Sequence, residues 1–326
     1  MTLQSSGAIK LSEIQTEFGG SNPISLSEYY RNGSHVTSNN TGVPTSGAID
    51  MTNFYGAIKQ FTYVFSSSAQ EVDLNSTLTT AGWNGTDPVA VTINSGVYLW
   101  SNSTATAGLT ISSAFSGLLT LSNSGYIIGR GGNGASGFGN SGSSGGPALK
   151  INSGVTGVTI VNNSGAFIAG GGGGGGSNEI GPSGGGGGAG GGNGGNGGVA
   201  GGSGGSIGNA GSNGGVDYGS AAPGLGGGAG GSGGAGYNDP NYRTSGGGGG
   251  RILPGVGGTS NADGGSAGNA GQNGNIALSG GGGGWGANGG SGGNGAGSGG
   301  SGGKAIEGSG STYTLTDNGT IYGATT

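Results

Sequence analysis

Leu119-Thr-Leu-Ser-Asn-Ser-Gly125-Tyr-Ile-Ile-Gly129 is the phrase on which the fold turns. It recurs as Val158-Thr-Ile-Val-Asn-Asn-Ser-Gly165-Ala-Phe-Ile-Ala-Gly170, with two residues inserted, and again as Tyr313-Thr-Leu-Thr-Asp-Asn-Gly319-Thr-Ile-Tyr-Gly323. Each copy reads as strand, Asn/Gly corner, strand, the rung logic of a β-solenoid or a stacked β-sandwich. Asn and Gly tolerate the positive φ that such corners need. Upstream, Phe61, Tyr63 and Phe65 alternate with Thr62 and Val64, the period of a strand. Asn94-Ser95-Gly96 separates Val89–Ile93 from Val97–Trp100 as a hairpin or corner.

The third copy lies beyond a segment of extreme composition. Of 326 residues 96 are glycine, concentrated between Gly170 and Gly303 in runs such as Gly170–Gly176 and Gly280–Gly284. The glycine segment therefore reads as an insertion between two β rungs, with both ends anchored on one wall. Such a chain has few side chains for a core, so order must come from backbone contacts that only Gly permits. A beat of three supports order. Asn193, Asn196 and Val199 are spaced by Gly pairs; Ser203, Ser206, Asn209 and Ser212 continue the beat, as do Ser298, Ser301 and Lys304. A polyproline-II-type helix has three residues per turn and rises about 3.1 Å per residue. Non-Gly residues then fall on one edge, and bare Gly edges let neighbours pair N–H with C=O. Collagen needs Gly strictly at every third position with abundant Pro, and Pro totals only eight.

Composition excludes several functions. Charged residues make up 6% of the chain and net charge is −5, which disfavours a nucleic-acid surface. There is no Cys and only one His, His35, so thiolate zinc sites, Cys nucleophiles and His clusters are absent. No apolar run is long enough to insert in a membrane, and Met1–Lys10 lacks the signature of a secretion signal. Glycosidase chemistry needs paired carboxylates. Glu71 with Asp73, Asp50, Asp87 and Glu179 are too sparse to nominate a pair, so no enzyme and no cofactor are expected.

The expected fold is mainly β with a polyglycine-II helix bundle, in four parts. Residues 1–58 form a small α/β module in which Ser6-Gly-Ala-Ile9 recurs as Ser46-Gly-Ala-Ile49. Ser12 and Thr52 are its cap candidates, and Ser25-Leu-Ser-Glu28 fits a capping box. Residues 59–169 form a solenoid- or sandwich-like β scaffold, 170–303 the glycine bundle, and 304–326 strands that pack back on the scaffold. Within the bundle the short non-Gly segments divide. Ile252, Leu253 and Ile276 read as plugs at bundle ends or against the β wall. Tyr237, Asp239, Tyr242 and Arg243 read as partner contacts, since Tyr, Trp and Arg are enriched in binding hot spots. Tyr218 and Trp285 fit either role and are carried as contact candidates.

The chain resembles bacteriophage tail and tail-fibre adhesins. Ser6-Gly-Ala-Ile-Lys-Leu-Ser-Glu-Ile14 through Tyr30 is similar to the start of many phage virion proteins, and the glycine region is similar to the tip adhesins of T-even-type phages. That resemblance implies polyglycine-II helices packed in a sandwich whose loops bind a host outer-surface protein or glycan. The loops it carries over are Val216–Leu225, Tyr237–Ser245, Arg251–Val256 and Asn275–Ser279. It also implies docking of residues 1–58 on other virion tail proteins, location on the phage tail, and release by lysis. A homotrimer would suit a fibre part, although no heptad supports one. The competing reading is a purely structural baseplate, fibre or decoration subunit with the glycine bundle as rigid spacer.

Overall fold

The structure is a computed structural model that describes residues 3–116, 118–179, 184–196, 202–214, 248–258, 262–274 and 279–326. It is mainly β, and every strand pairing is parallel among the described residues.

Residues 3–58 enclose a core of Ile9, Ile14, Phe18, Tyr29, Val36, Val43, Phe54 and Ala57. Around it lie helix α1 (Leu11–Phe18) and two 3₁₀ turns, Leu26–Tyr29 and Met51–Phe54. The caps differ from the expected Ser12 and Thr52. The residues with extended backbone ahead of these helices are Lys10 and Asp50, two positions earlier. Glu13 and Asn53 then return to the Lys10 and Asp50 N–H groups at 2.7 and 2.8 Å. Ser25 with Glu28 is capped as expected, at 3.0 Å.

Among the described residues fourteen strands follow: β1 (Phe61–Phe65), β2 (Ala69–Gln70), β3 (Val72–Asp73), β4 (Val89–Ile93), β5 (Tyr98–Trp100), β6 (Leu109–Ile111) and β7 (Leu119–Asn123). Then come β8 (Tyr126–Ile128), β9 (Leu149–Ile151), β10 (Val158–Asn162), β11 (Phe167–Ala169), β12 (Ile306–Glu307), β13 (Tyr313–Asp317) and β14 (Thr320–Tyr322). Helix α2 (Leu74–Thr80) connects β3 to β4. The first sheet runs β1-β4-β7-β10-β13, the second β2-β5-β8-β11-β14 and the third β3-β6-β9-β12. The chain visits the three in rotation. Asn94-Ser95-Gly96 is thus a corner between sheets, with Gly96 at φ 77, and not a hairpin.

Alternation within each strand sends one side chain in and the next out. Val89, Val91, Ile93, Leu119, Leu121, Ile160, Leu99, Ile127, Ile168, Leu109, Leu149 and Ile306 form one buried core between the sheets. The residues linking second to third sheet grow along the chain: Glu71, then 101–108, then 129–148, then 170–305. The glycine segments emerge from this one corner on successive turns.

The run Gly170–Ser177 shows how glycine becomes ordered. The N–H groups of Gly171, Gly174 and Ser177 donate to Gly146, Ser143 and Asn140, stepping three residues at a time along one neighbour. Those of Gly172 and Gly175 donate to Ala189 and Gly186, and those of Gly173 and Gly176 to Ala287 and Gly290. Three further neighbours donate back. Gly303 and Gly300 reach Gly171 and Gly174; Gly132 and Ala135 reach Gly172 and Gly175; Gly286, Gly283 and Gly280 reach Gly170, Gly173 and Gly176. All these bonds lie between 2.7 and 2.9 Å. A Cβ on Gly173 or Gly174 would overlap the carbonyl oxygen of Gly300 or Asn133, so close approach dictates glycine there. At the array's rim, side chains supply missing acceptors. Asn133 Oδ1 takes the Asn193 N–H at 2.9 Å, and Asn193 Oδ1 takes the Gly204 N–H at 2.8 Å.

Candidate functional site

The array has two ends. Its base is where Gly170 leaves β11 and Gly303 leads towards β12. Two matching turns return the chain there, Ser206-Ile-Gly-Asn209 and Ser266-Ala-Gly-Asn269, with Gly208 and Gly268 at φ 72 and 77. Gly208 N–H donates to Arg251 O and Gly268 N–H to Trp285 O. Arg251 and Trp285 therefore belong to the base.

Both are buried there. Trp285 is fully buried, packs near Tyr98, Trp100, Tyr126, Leu253 and Tyr322, and donates its indole N–H to Ile252 O at 3.1 Å. This overturns its expected role as a receptor contact. A ring that fills the joint between array and second sheet has no face left to offer. Arg251 is 2% exposed. Its Nε donates to Gly190 O at 3.0 Å, its Nη2 to Asn102 Oδ1 at 2.9 Å, and its guanidinium lies 4.7 Å over the Trp100 ring. Arg130 Nη1 donates to the same Asn102 oxygen at 3.2 Å. Burial, with Arg130 as like-charged neighbour, lowers the Arg251 pKa to about 10, and burial lowers that of Arg130. So Arg251 through Leu253 is a clasp on the β wall, in line with the reading of Ile252 and Leu253 as plugs and against the displayed loop that the resemblance implied for Arg251–Val256. Ile252 and Val256 retain partial exposure, 39% and 70%.

At the other end lie the turn 137–140 and residues Ser177 to Glu179. Ser177 N–H donates to Asn140 O, and Asn140 N–H donates to the Ser177 side-chain Oγ. Gly137 N–H donates to Asn196 O and Gly139 N–H to Asn178 O, which gathers three segments on one surface. Phe138 stands on it 59% exposed, and Glu179 lies against Gly139. Sequence reasoning missed Phe138 because it assigned 59–169 wholly to the β scaffold. The signal was present in Ser136-Gly-Phe-Gly-Asn140, a lone aromatic inside a glycine excursion. The surface suits shallow contact by an apolar ring flanked by amides and a carboxylate.

Tyr218, Tyr237, Asp239, Tyr242 and Arg243 lie outside the described residues, as do Val216–Leu225, Tyr237–Ser245 and Ile276. The residues flanking the longest such stretch are informative. Gly248 N–H donates to Ser212 O, while the base-side Arg251 N–H donates to Asn209 O. Gly214 and Gly248 thus stand on the side of the array away from its base.

The comparisons agree with this geometry. A solved structure described as the crystal structure of the gp37–gp38 adhesin tip complex of the bacteriophage S16 long tail fiber superposes with a TM-score of 0.53. That match is 22% identical and covers 99% of this chain and 100% of the other. No curated protein matches the sequence. Residues 60–230 match the family described as phage tail fibre adhesin Gp38, a stretch that covers β1–β11 and enters the glycine-rich segment. The chain belongs to the phage tail fibre adhesin Gp38 family.

Proposed function

We propose that this tail-fibre adhesin recognises a host-cell surface protein or glycan through loops displayed by a polyglycine-II bundle. The observation that carries the reading is the period-three hydrogen bonding of Gly170–Ser177 to six neighbours. Gly292, at φ −66 and ψ 157, has the matching backbone conformation. Strands β1–β14 act as a three-sided solenoid that carries the bundle, and the Arg251–Trp285 clasp fixes its base. Tyr218, Tyr237, Asp239, Tyr242 and Arg243, in the sequence between Gly214 and Gly248, are the receptor contacts. Tyr stacking and polar hydrogen bonds are individually weak, and repetition on one particle raises adhesion through effective concentration. Residues 1–58 dock the chain on another tail-fibre protein, so that it is carried on the virion tail and meets cells after lysis. The gp37 chain of the superposed complex is the example of such a partner.

The test is cell binding by labelled protein carrying Tyr237→Ala, Tyr242→Ala and Arg243→Ala together. Loss of saturable binding with an unchanged melting curve supports the reading. Undiminished binding would place the receptor site elsewhere.

A further inference from the structure

The third sheet carries a cleft of about 380 Å³ where it meets the base of the array. Its walls include Lys150 of β9, Glu307 of β12, Thr104 from the excursion 101–108, and Pro147 and Lys304 beside the array. The volume falls in the range of small-molecule sites, about 300–1,000 Å³. Strand alternation accounts for the wall's chemistry. Leu149, Ile151 and Ile306 belong to the coil's core, so Lys150 and Glu307 between them face outward, paired in register. Lys150 Nζ lies 3.7 Å from Glu307 Oε2, with 41% and 36% of the two side chains exposed. An ion pair so open to water is held weakly and can take a new partner.

Positive charge is scarce in this chain and collects here. Among the described residues after Lys59 the Lys and Arg side chains are Arg130, Lys150, Arg251 and Lys304. The two arginines are committed to Asn102, and both lysines line the cleft. Lys304 has no carboxylate partner among the described residues. A main-chain donor joins them. The N–H groups of Gly142, Gly145 and Ala148 donate to the carbonyls of Ser298, Ser301 and Lys304 at 2.9, 2.9 and 3.0 Å, so the two segments run side by side in steps of three. In return, Ser298 N–H donates to Ser141 Oγ at 3.2 Å. Two steps along, Pro147 stands in the place of Ser141, and its side chain has no acceptor. Lys304 N–H is accordingly left without an acceptor among the described residues.

We infer that this cleft binds an acidic sugar residue of a surface polysaccharide, a uronic acid, by its carboxylate. Two ammonium groups and one N–H hold a single carboxylate through charge-assisted hydrogen bonds. Ionised Glu307 only accepts, so it takes ring hydroxyls and repels a second negative charge. The three charged side chains sum to one positive charge, which suits a monoanion carrying hydroxyl donors and disfavours a phosphate dianion. The site lies at the base of the array on strands β9 and β12, apart from the residues between Gly214 and Gly248, and stands whether or not those contact a receptor. One such contact is weak, and repetition on a particle retains it at a polysaccharide-coated surface through effective concentration.

Saturation-transfer NMR of the full chain with methyl β-glucuronide tests this, with methyl β-glucoside as the uncharged control and inorganic phosphate as competitor. The expected result is saturable binding of the glucuronide, with the glucoside weaker by about tenfold. Lys150→Gln and Lys304→Gln, made singly, each weaken glucuronide binding by about tenfold at an unchanged melting curve. Phosphate displaces the glucuronide from Glu307→Gln but not from the parent. The variant with Tyr237, Tyr242 and Arg243 all changed to Ala binds the glucuronide as the parent does, which separates this site from the proposed receptor contacts. No saturable glucuronide signal, equal binding of the glucoside, displacement by phosphate from the parent, or indifference to both lysine substitutions overturns the inference.

Discussion

Asn162 donates its Nδ2 hydrogen to Asp317 Oδ1 at 2.8 Å, joining strands 155 residues apart. Between them lies the main glycine insertion. Asn162 Oδ1 in turn accepts from Asn123 Nδ2 at 2.8 Å, so three successive turns of the β coil share one amide ladder at the same corner. Asn162 is fully buried. The ladder closes the coil around the insertion independently of anything in the array.

Asn162→Leu tests that closure. The change keeps volume but takes the Asn162 acceptor from the buried Asn123 Nδ2, leaving it only Phe167 O at 3.3 Å, and removes the donor to Asp317, which is exposed to water. Leaving a buried polar group poorly satisfied costs about 1–3 kcal/mol, a cost that falls here on Asn123. The expected outcome is a lowered denaturant midpoint at unchanged m-value. A midpoint within error of the parent would mean that the corner is held by its backbone bonds alone.

Gly174→Ala tests whether the array depends on backbone approach. Asn133 O lies where the new methyl would sit, and the flanking segments are themselves bonded on several sides, so none can yield alone. Overpacking of this kind costs about 3 kcal/mol. Hydrogen exchange should accelerate across 130–146, 170–177 and 297–303 while Leu119–Asn123 and Val158–Asn162 stay protected. Uniform acceleration would show array and coil to be one cooperative unit.

Trp285 separates a core role from a contact role. Trp285→Ala empties the joint at the array's base and should cost about 3–5 kcal/mol. Trp285→Phe keeps most of the packing and loses only the hydrogen bond to Ile252 O. If the proposed function is right, the Phe variant binds cells as the parent does. A binding defect in a stably folded Phe variant would restore Trp285 as a contact.

Much of this architecture is legible in the sequence, and its gaps have physical causes. The phrase at Leu119, Val158 and Tyr313 is visible because successive turns of the chain repeat the same inward residues and the same corner, as the paired Leu121, Ile160 and Leu315 illustrate. The period-three beat is visible because rim positions alone carry side chains. Trp285 and Arg251 were ambiguous, since an aromatic or Arg inside glycine serves a clasp or a receptor equally well. Only the direction of each segment decides, and that follows from the turns at Gly208 and Gly268. The likeness of the turn Leu26–Tyr29 to those that begin at Leu11 and Met51 is hidden because Ile24 lacks the Ser-Gly-Ala prefix that precedes Ile9 and Ile49. Its equivalence lies in burial and hydrogen bonding, which composition does not display.

Alkaline pH gives a further check through Tyr98. Burial, with Tyr126 beside it, raises the Tyr98 phenol above its ordinary value, and burial does the same for Tyr29 and Tyr313. The fold therefore favours the neutral phenol. That contribution is fully present below the unfolded value of about 10 and is lost as pH rises through the higher folded value. Arg251 acts oppositely, since its folded value of about 10 lies below the ordinary guanidinium range. Its neutral form is favoured, so its contribution grows as pH rises across that interval. Tyr98→Phe isolates the first effect, because the ring keeps its 4.5 Å contact with Tyr126 and loses only the titrating group. The melting temperature of the variant should match the parent at pH 7 and exceed it above pH about 10. Parallel curves at all pH values would mean that Tyr98 ionises as freely in the folded chain as in the unfolded one.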